Sequence, residues 1–185
     1  MNTASTVWTD DHFIAGDLAL DFANTVYRRT PEMGADLFDS PEALAAWLHR
    51  AGFPSAAATV DDARMLRERL WEIFDAQTAG RELPPDAFGG LLETVRRDDV
   101  SVGADGSARA LTGKGALAVI ALHAIRFALS PPPWPVRSCD GCGWFFMDTS
   151  RGHRRRWCSM KTCGNQAKAA RFRSRDQKAC SAASV

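Results

Sequence analysis

Apolar positions recur at helical spacing through most of the first 130 residues. Leu18, Phe22 and Val26 form a stripe that predicts a helix over 16–29, opened by Gly16 or Asp17. Asp39-Ser40-Pro41-Glu42 is a strong helix start: a Ser cap, Pro at the first helical position and an acid in the first turn. The helix it opens buries Leu44, Trp47 and Leu48 and ends before Gly52. A third, from Asp61 or Asp62 to about Thr78, turns Leu66, Leu70, Ile73 and Phe74 inward. Pro84-Pro85-Asp86 begins a fourth, through Phe88, Leu91, Leu92 and Val95. The period then changes. Val100 and Val102, Ala104-Asp105-Gly106, then Ala108 and Ala110 predict a short β-hairpin. The run 113–129 is nearly all apolar, as in the central helix of a bundle, with His123 and Arg126 its polar exceptions. His123 reads as a core histidine.

Pro131, Pro132, Pro133 and Pro135 break the pattern, because proline lacks the amide that helix or inner strand requires. The expected organisation is a helical domain over 1–130, a stiff linker over 131–136, a compact module over 137–178 and a flexible tail over 179–185. The fold class expected is mostly α: an N-terminal helical domain with a short β-hairpin, plus a small C-terminal zinc-knuckle-and-helix module.

Charge sharpens this division. The net charge of +1 hides 12 Lys+Arg against 19 Asp+Glu in residues 1–136, and 11 against 3 in residues 137–185. An acidic body of −7 carries a basic end of +8, the electrostatic form of a protein that presents one end to phosphates. No apolar run reaches the roughly 20 residues of a membrane helix, and the N-terminus has no secretory pattern. A cytoplasmic location without membrane contact is expected.

Cys139, Cys142, Cys158 and Cys163 are spaced C-x2-C, fifteen residues, C-x4-C. Two close pairs joined by a loop suit a tetrahedral Zn²⁺, and an all-thiolate set is structural, since catalytic zinc keeps an open position. Between and beyond the pairs the chain is basic and aromatic. Arg154, Arg155 and Arg156 precede Trp157. Past Cys163 a helix places Lys168, Arg171 and Arg175 on one face around Phe172. These six cations are the expected DNA contacts; neutralising the thiolates is the alternative role for several of Arg151, Arg154, Arg155, Arg156 and Lys161, but it cannot absorb all of them. Cys180 lies outside the ligand spacing and reads as a free thiol. In the first helix Asp21, Asn24 and Thr25 share a face. They either line a small-molecule effector site or form a buried hydrogen-bond clamp. No Ser-His-Asp, Cys-His or phosphate-loop constellation supports an enzyme, leaving Asp21 as the one weak candidate.

The motifs Cys139-Asp140-Gly141-Cys142-Gly143-Trp144, Phe146-Met147-Asp148-Thr149-Ser150, Arg155-Arg156-Trp157-Cys158-Ser159-Met160 and Cys163-Gly164-Asn165, with Lys168 to Arg171, resemble the CGNR zinc-finger family of bacterial transcription regulators. The chain departs from the family pattern at Gln166, where that pattern has Arg. Leu18-Ala19-Leu20-Asp21-Phe22-Ala23-Asn24-Thr25, Leu44-Ala45-Ala46-Trp47-Leu48 and Leu66-Arg67-Glu68-Arg69-Leu70 resemble the ABATE domain that accompanies this finger. Together the resemblances span most of 13–176. They imply a one-component transcriptional regulator that binds duplex DNA through its finger and senses an effector or forms a homodimer through its helical domain. A zinc-dependent RNA-binding module, stacking bases on Trp144, Phe146 or Trp157, is the alternative.

Overall fold

The chain's structure, a computed structural model, describes residues 6–96 and 99–182, with side chains described as far as residue 174. Among the described residues six helices and two small hairpins follow in order: α1 (Leu18–Ala23), α2 (Pro41–Arg50), α3 (Val60–Thr78), α4 (Pro85–Val95), β1 (Val100–Val102), β2 (Ala108–Ala110), α5 (Gly113–Leu129), β3 (Val136–Ser138), β4 (Phe145–Met147) and α6 (Asn165–Ala182). A 3-10 turn (Asp10–His12) precedes α1 and a π-helical turn (Met160–Gly164) leads into α6. No described helix is long and apolar enough to cross a membrane.

The Ser40 cap read from the sequence forms, and two threonines not read as caps, Thr59 and Thr112, do the same for α3 and α5. The Ser40 hydroxyl accepts from the Ala43 amide, that of Thr59 from Asp62 and that of Thr112 from Gly115, each satisfying an amide that the helix start leaves free. α5 is buried on nearly every side, through Ala116 to Ala121, Ala124 and Phe127. It therefore forms the centre on which α1, α3 and α4 pack. β1 and β2 pair antiparallel, Ser101 opposite Arg109, as the Asp-Gly turn requires. His123 differs from its core expectation. It is 36% exposed, with Nδ1 3.7 Å from an Asp17 carboxylate oxygen that Arg126 also reaches at 2.9 Å.

The helix expected over 16–29 is corrected to the six residues of α1. Asp17 caps it by accepting the Ala19 amide at 2.9 Å, but Asn24 ends it. The Asn24 amide is bonded at both ends to the backbone of Phe145, far along the chain, and this pairing outweighs local helix propensity. Beyond it the chain is extended. Val26 bridges Asp36, Tyr27 donates to the Ala35 carbonyl and Leu37 to that of Thr25.

The proline run leads straight into β3, which packs on α3, while its partner β4 packs on α1. Phe145 and Phe146 of β4 are fully buried. α6 is different: from Asn165 to Ser174 every side chain is exposed except the partly covered Ala167, and the helix packs on the π-helical turn. Its backbone continues through Ala182, into the 179–185 segment assigned to a tail. Residues 183–185 lie outside the described ones.

Candidate metal centre

Cys139 and Cys142 sit on the loop between β3 and β4. The hairpin register, Val136 opposite Met147 and Ser138 opposite Phe145, brings its ends together. Cys139 donates its amide to the Trp144 carbonyl and accepts from the Gly143 amide, both at 2.8 Å, closing a tight knuckle. Gly143 is there because its φ is +74° and a Cβ would stand 2.8 Å from Thr30 Oγ1. The second pair comes from the opposite direction. Cys158 precedes Ser159, whose hydroxyl caps the π-helical turn that carries Cys163.

The four sulfurs lie within 4.8 Å of one another, and the four residues are free thiols. Cys142 Sγ is 3.6 Å from Cys158 Sγ, which is 3.8 Å from Cys163 Sγ. Four thiolates about 2.3 Å from one central Zn²⁺ would stand about 3.8 Å apart, so the donor set fits that ion in number, spacing and chemistry. Electrostatics agree. Thiol hydrogen bonds from Cys142 and Cys158 hold Cys139 well below the usual thiol range, and the reciprocal interactions push Cys142 and Cys158 up. The cluster stabilises one thiolate and resists the next, which a divalent cation reverses. The Gly141 amide also points at Cys139 Sγ, at 3.4 Å.

The arginines divide by environment. Arg155 turns inward: its Nε donates to the Trp157 carbonyl at 2.8 Å, a second nitrogen donates to the Cys158 carbonyl, and its guanidinium lies 4.8 Å from the Phe146 ring centre. Its own amide donates to Asp148, which is fully buried and also accepts from Ser150 and from Arg137 Nε at 3.0 Å. Burial alone would raise the Asp148 carboxyl. The hydrogen bonds from Ser150 and Arg155 and the charge of Arg137 outweigh it and hold the group at about 2. His153 is a scaffold residue too, its Nδ1 donating to the Asp148 carbonyl at 2.9 Å. Arg156 pairs with Asp140 at 2.6 Å and stacks over Trp157. Arg154 and Lys168 are exposed and have no side-chain partner among the described residues. Arg171 is exposed, 5.9 Å from the Trp157 ring centre. The side chains of Arg175 and Cys180 lie outside the described residues.

The helical body grips the knuckle from the other side. The Asn24 amide holds Phe145 at 2.8 and 2.9 Å, Trp144 Nε1 donates to the Val26 carbonyl at 2.8 Å and the Met147 amide donates to Ala15. The amides of Arg29 and Thr30 both donate to the Cys142 carbonyl, at 2.6 and 3.3 Å. The Arg29 side chain adds a bond to the Gly143 carbonyl, an ion pair with Asp75 and a guanidinium 4.1 Å above Phe145. Asn24 was visible in the sequence as part of a polar cluster. Arg29 and Asp75 were not, because nothing local marks an arginine that bonds residues more than a hundred positions away.

Asp21, Asn24 and Thr25 are all buried, and each is bonded within the chain. Thr25 donates to Phe22 and accepts from Arg67, and Asp21 accepts the Ala15 amide at 2.9 Å. Burial pushes the Asp21 carboxyl up to about 7, with the charge of Asp17 adding to the rise and the Ala15 and Ile14 amides opposing it. The charged form is therefore the costly one. The part of the stability linked to this group is fully present below the ordinary value of 3.8 and is lost as pH rises through about 7. Asp21→Asn is expected to raise the melting temperature at pH 8 and leave it nearly unchanged at pH 4. Thermal melts followed by circular dichroism decide this, and an equal shift at both pH values contradicts it.

Residues 16–131 match the family model ABATE, described as "Putative stress-induced transcription regulator", and residues 136–176 match the CGNR zinc finger. No curated protein matches the chain.

Proposed function

The chain belongs to the ABATE family of transcription regulators and carries a CGNR zinc finger at its C-terminal end, and from that premise we propose that it binds duplex DNA through α6 and the adjoining Arg154–Arg156 loop. The observation that carries this reading is α6 itself. It is a helix whose described side chains are exposed except for the partly covered Ala167, in the segment of the chain with net charge +8. A helix about 10–12 Å across fits the major groove, about 12 Å wide. Arg154, Lys168, Arg171 and, by its place in the sequence, Arg175 are the proposed contacts, with Arg156 at their edge. Arg155 is a positioning residue that fixes the backbone of Cys158. Asp21, Asn24 and Thr25 are assigned to a buried hydrogen-bond network, of which Asn24 reaches the knuckle, rather than to an effector.

The burial of the aromatics argues against base stacking on RNA. Phe146 is fully buried, Trp144 is 9% exposed with its indole bonded to Val26, and Trp157 lies under Arg156 and Arg171. The family models matched are regulatory ones.

With about five cations on phosphates, the log–log salt slope on duplex DNA is expected near −4.5. Lys168→Ala/Arg171→Ala is expected to reduce the magnitude of that slope by about 2. Arg155→Ala should instead lower zinc retention and leave the slope of the zinc-loaded fraction within one unit. Fluorescence anisotropy across a salt series measures all three. Selection from random duplexes that enriches no motif, or single-stranded RNA outcompeting duplex at matched salt, overturns the reading.

A further inference from the structure

A cleft of about 300 Å³ lies between the helical body and the knuckle, and three of the four cysteines form part of its wall. Asp11, His12 and Arg28 of the body face Cys142, Trp144 and Gln166 across it. Cys158 and Cys163 also border the cleft, but they are 3% and 8% exposed, and Cys139, at 2%, lies off it. Cys142 alone of the four is only half-buried. Of the three cysteines in the wall, Cys142 is therefore the most exposed to a small solute in the cleft.

We propose that Cys142 is a modification site for small hydroperoxides, and that its oxidation closes a Cys142–Cys158 disulfide that dismantles the metal centre. The Cys142 thiolate attacks the nearer peroxide oxygen. An S–O bond forms and the O–O bond breaks. The sulfur is oxidised by two electrons to the sulfenic acid, and the peroxide leaves as an alkoxide or hydroxide that takes a proton from water. The Cys158 thiolate, whose sulfur is 3.6 Å away, then attacks the sulfenic sulfur. The S–S bond forms, the S–O bond breaks and hydroxide leaves to be protonated to water. Two thiolates and one hydroperoxide, with two protons, give one disulfide, one alcohol (or water) and one water.

Two of the four donors to the ion are then lost, leaving Cys139 and Cys163. The consequence for the helix follows from connectivity. Cys163 lies in the π-helical turn on which α6 packs, and Gln166, in the first turn of α6, faces the same cleft. On the other side the Cys142 carbonyl is the acceptor for the Arg29 and Thr30 amides, so a displaced Cys142 disturbs the body's grip as well. Loss of duplex affinity on oxidation rests on the DNA-binding reading above; the site and order of oxidation do not.

The test uses the zinc-loaded full chain with Cys180→Ser, so that every disulfide arises within the cluster. It is treated with hydrogen peroxide and, separately, tert-butyl hydroperoxide. Zinc release is followed with a chromogenic chelator, disulfides are mapped by mass spectrometry, and duplex binding is measured on the same samples. The first disulfide is expected to be Cys142–Cys158, formed in step with zinc release. Cys142→His, which keeps a ligand but removes the reactive sulfur, should slow peroxide-driven release about 10-fold or more relative to the Cys180→Ser parent. A different first disulfide, or release from Cys142→His at the parent's rate, overturns the proposal. If the reduced, zinc-loaded chain binds no duplex, the DNA-binding reading fails while the mapping still decides the oxidation site.

Discussion

Cys158→Ser is expected to abolish zinc retention and duplex binding in a single step. Cys158 is the hinge of the cluster, its sulfur 3.6 Å from that of Cys142 and 3.8 Å from that of Cys163. Its carbonyl is the anchor of the Arg155 guanidinium. Serine offers a hard, protonated oxygen where a thiolate is required. A structural Cys₄ site contributes on the order of 10 kcal/mol to the folding of its module, so a three-thiolate remnant should leave the π-helical turn and the start of α6 without their fixed point. The loss should also reach the body, because β4 enters the common core through Phe145 and Phe146. Metal analysis after gel filtration, circular dichroism and anisotropy on the selected duplex measure the three consequences. Stoichiometric zinc in the variant, or duplex binding that survives its loss, would contradict the role given to the cluster.

Much of this arrangement was legible in the sequence, and the exceptions have a common cause. Helices α2 to α5 announce themselves because their signals are local: apolar residues recur at helical spacing, Ser40 bonds the amide three residues on, and Pro85 opens α4. The β1–β2 hairpin is equally local, set by its Asp-Gly turn. The ligand set was legible because metal spacing is a property of short sequence distance. What failed to show is what depends on distant partners. α1 stops early because Asn24 is bonded to Phe145. β3 and β4 are three residues each, too short for a period of two to be read, and they exist because the knuckle closes them. Arg155 reads exactly like its neighbours Arg154 and Arg156, yet it alone of the three turns inward to hold backbone carbonyls. Composition identifies a basic segment; the division of its arginines between scaffold and solvent is decided by packing.

Phe145→Ala is the sharpest probe of how firmly the knuckle and the helical body are joined. The ring is fully buried, edge-on to Phe74 of α3 with centroids 5.4 Å apart, and capped by the Arg29 guanidinium at 4.1 Å. Truncating such a phenylalanine costs about 3–5 kcal/mol, a large part of the roughly 5–15 kcal/mol that holds a domain folded. At about 2–4 °C per kcal/mol for a chain of this size, the melting temperature should fall by about 10 °C. Phe172→Ala, on the 67% exposed ring of α6, should change stability by no more than about 0.5 kcal/mol. Asn24→Ala tests the same joint without a core cavity. It leaves the buried amide and carbonyl of Phe145 unpaired, at about 1–3 kcal/mol each. If the body and the knuckle unfold as one unit, calorimetry shows a single transition that Phe145→Ala and Asn24→Ala both lower; a helical-body transition that stays in place in both variants would show the two to be separable. Arg29 links this core to the metal, since the guanidinium above Phe145 also bonds the Gly143 carbonyl and the Arg29 amide bonds that of Cys142. A cavity at position 145 should therefore loosen the knuckle as well, and transfer of zinc to a competing chelator should be faster from Phe145→Ala than from Phe172→Ala at a temperature where both remain folded.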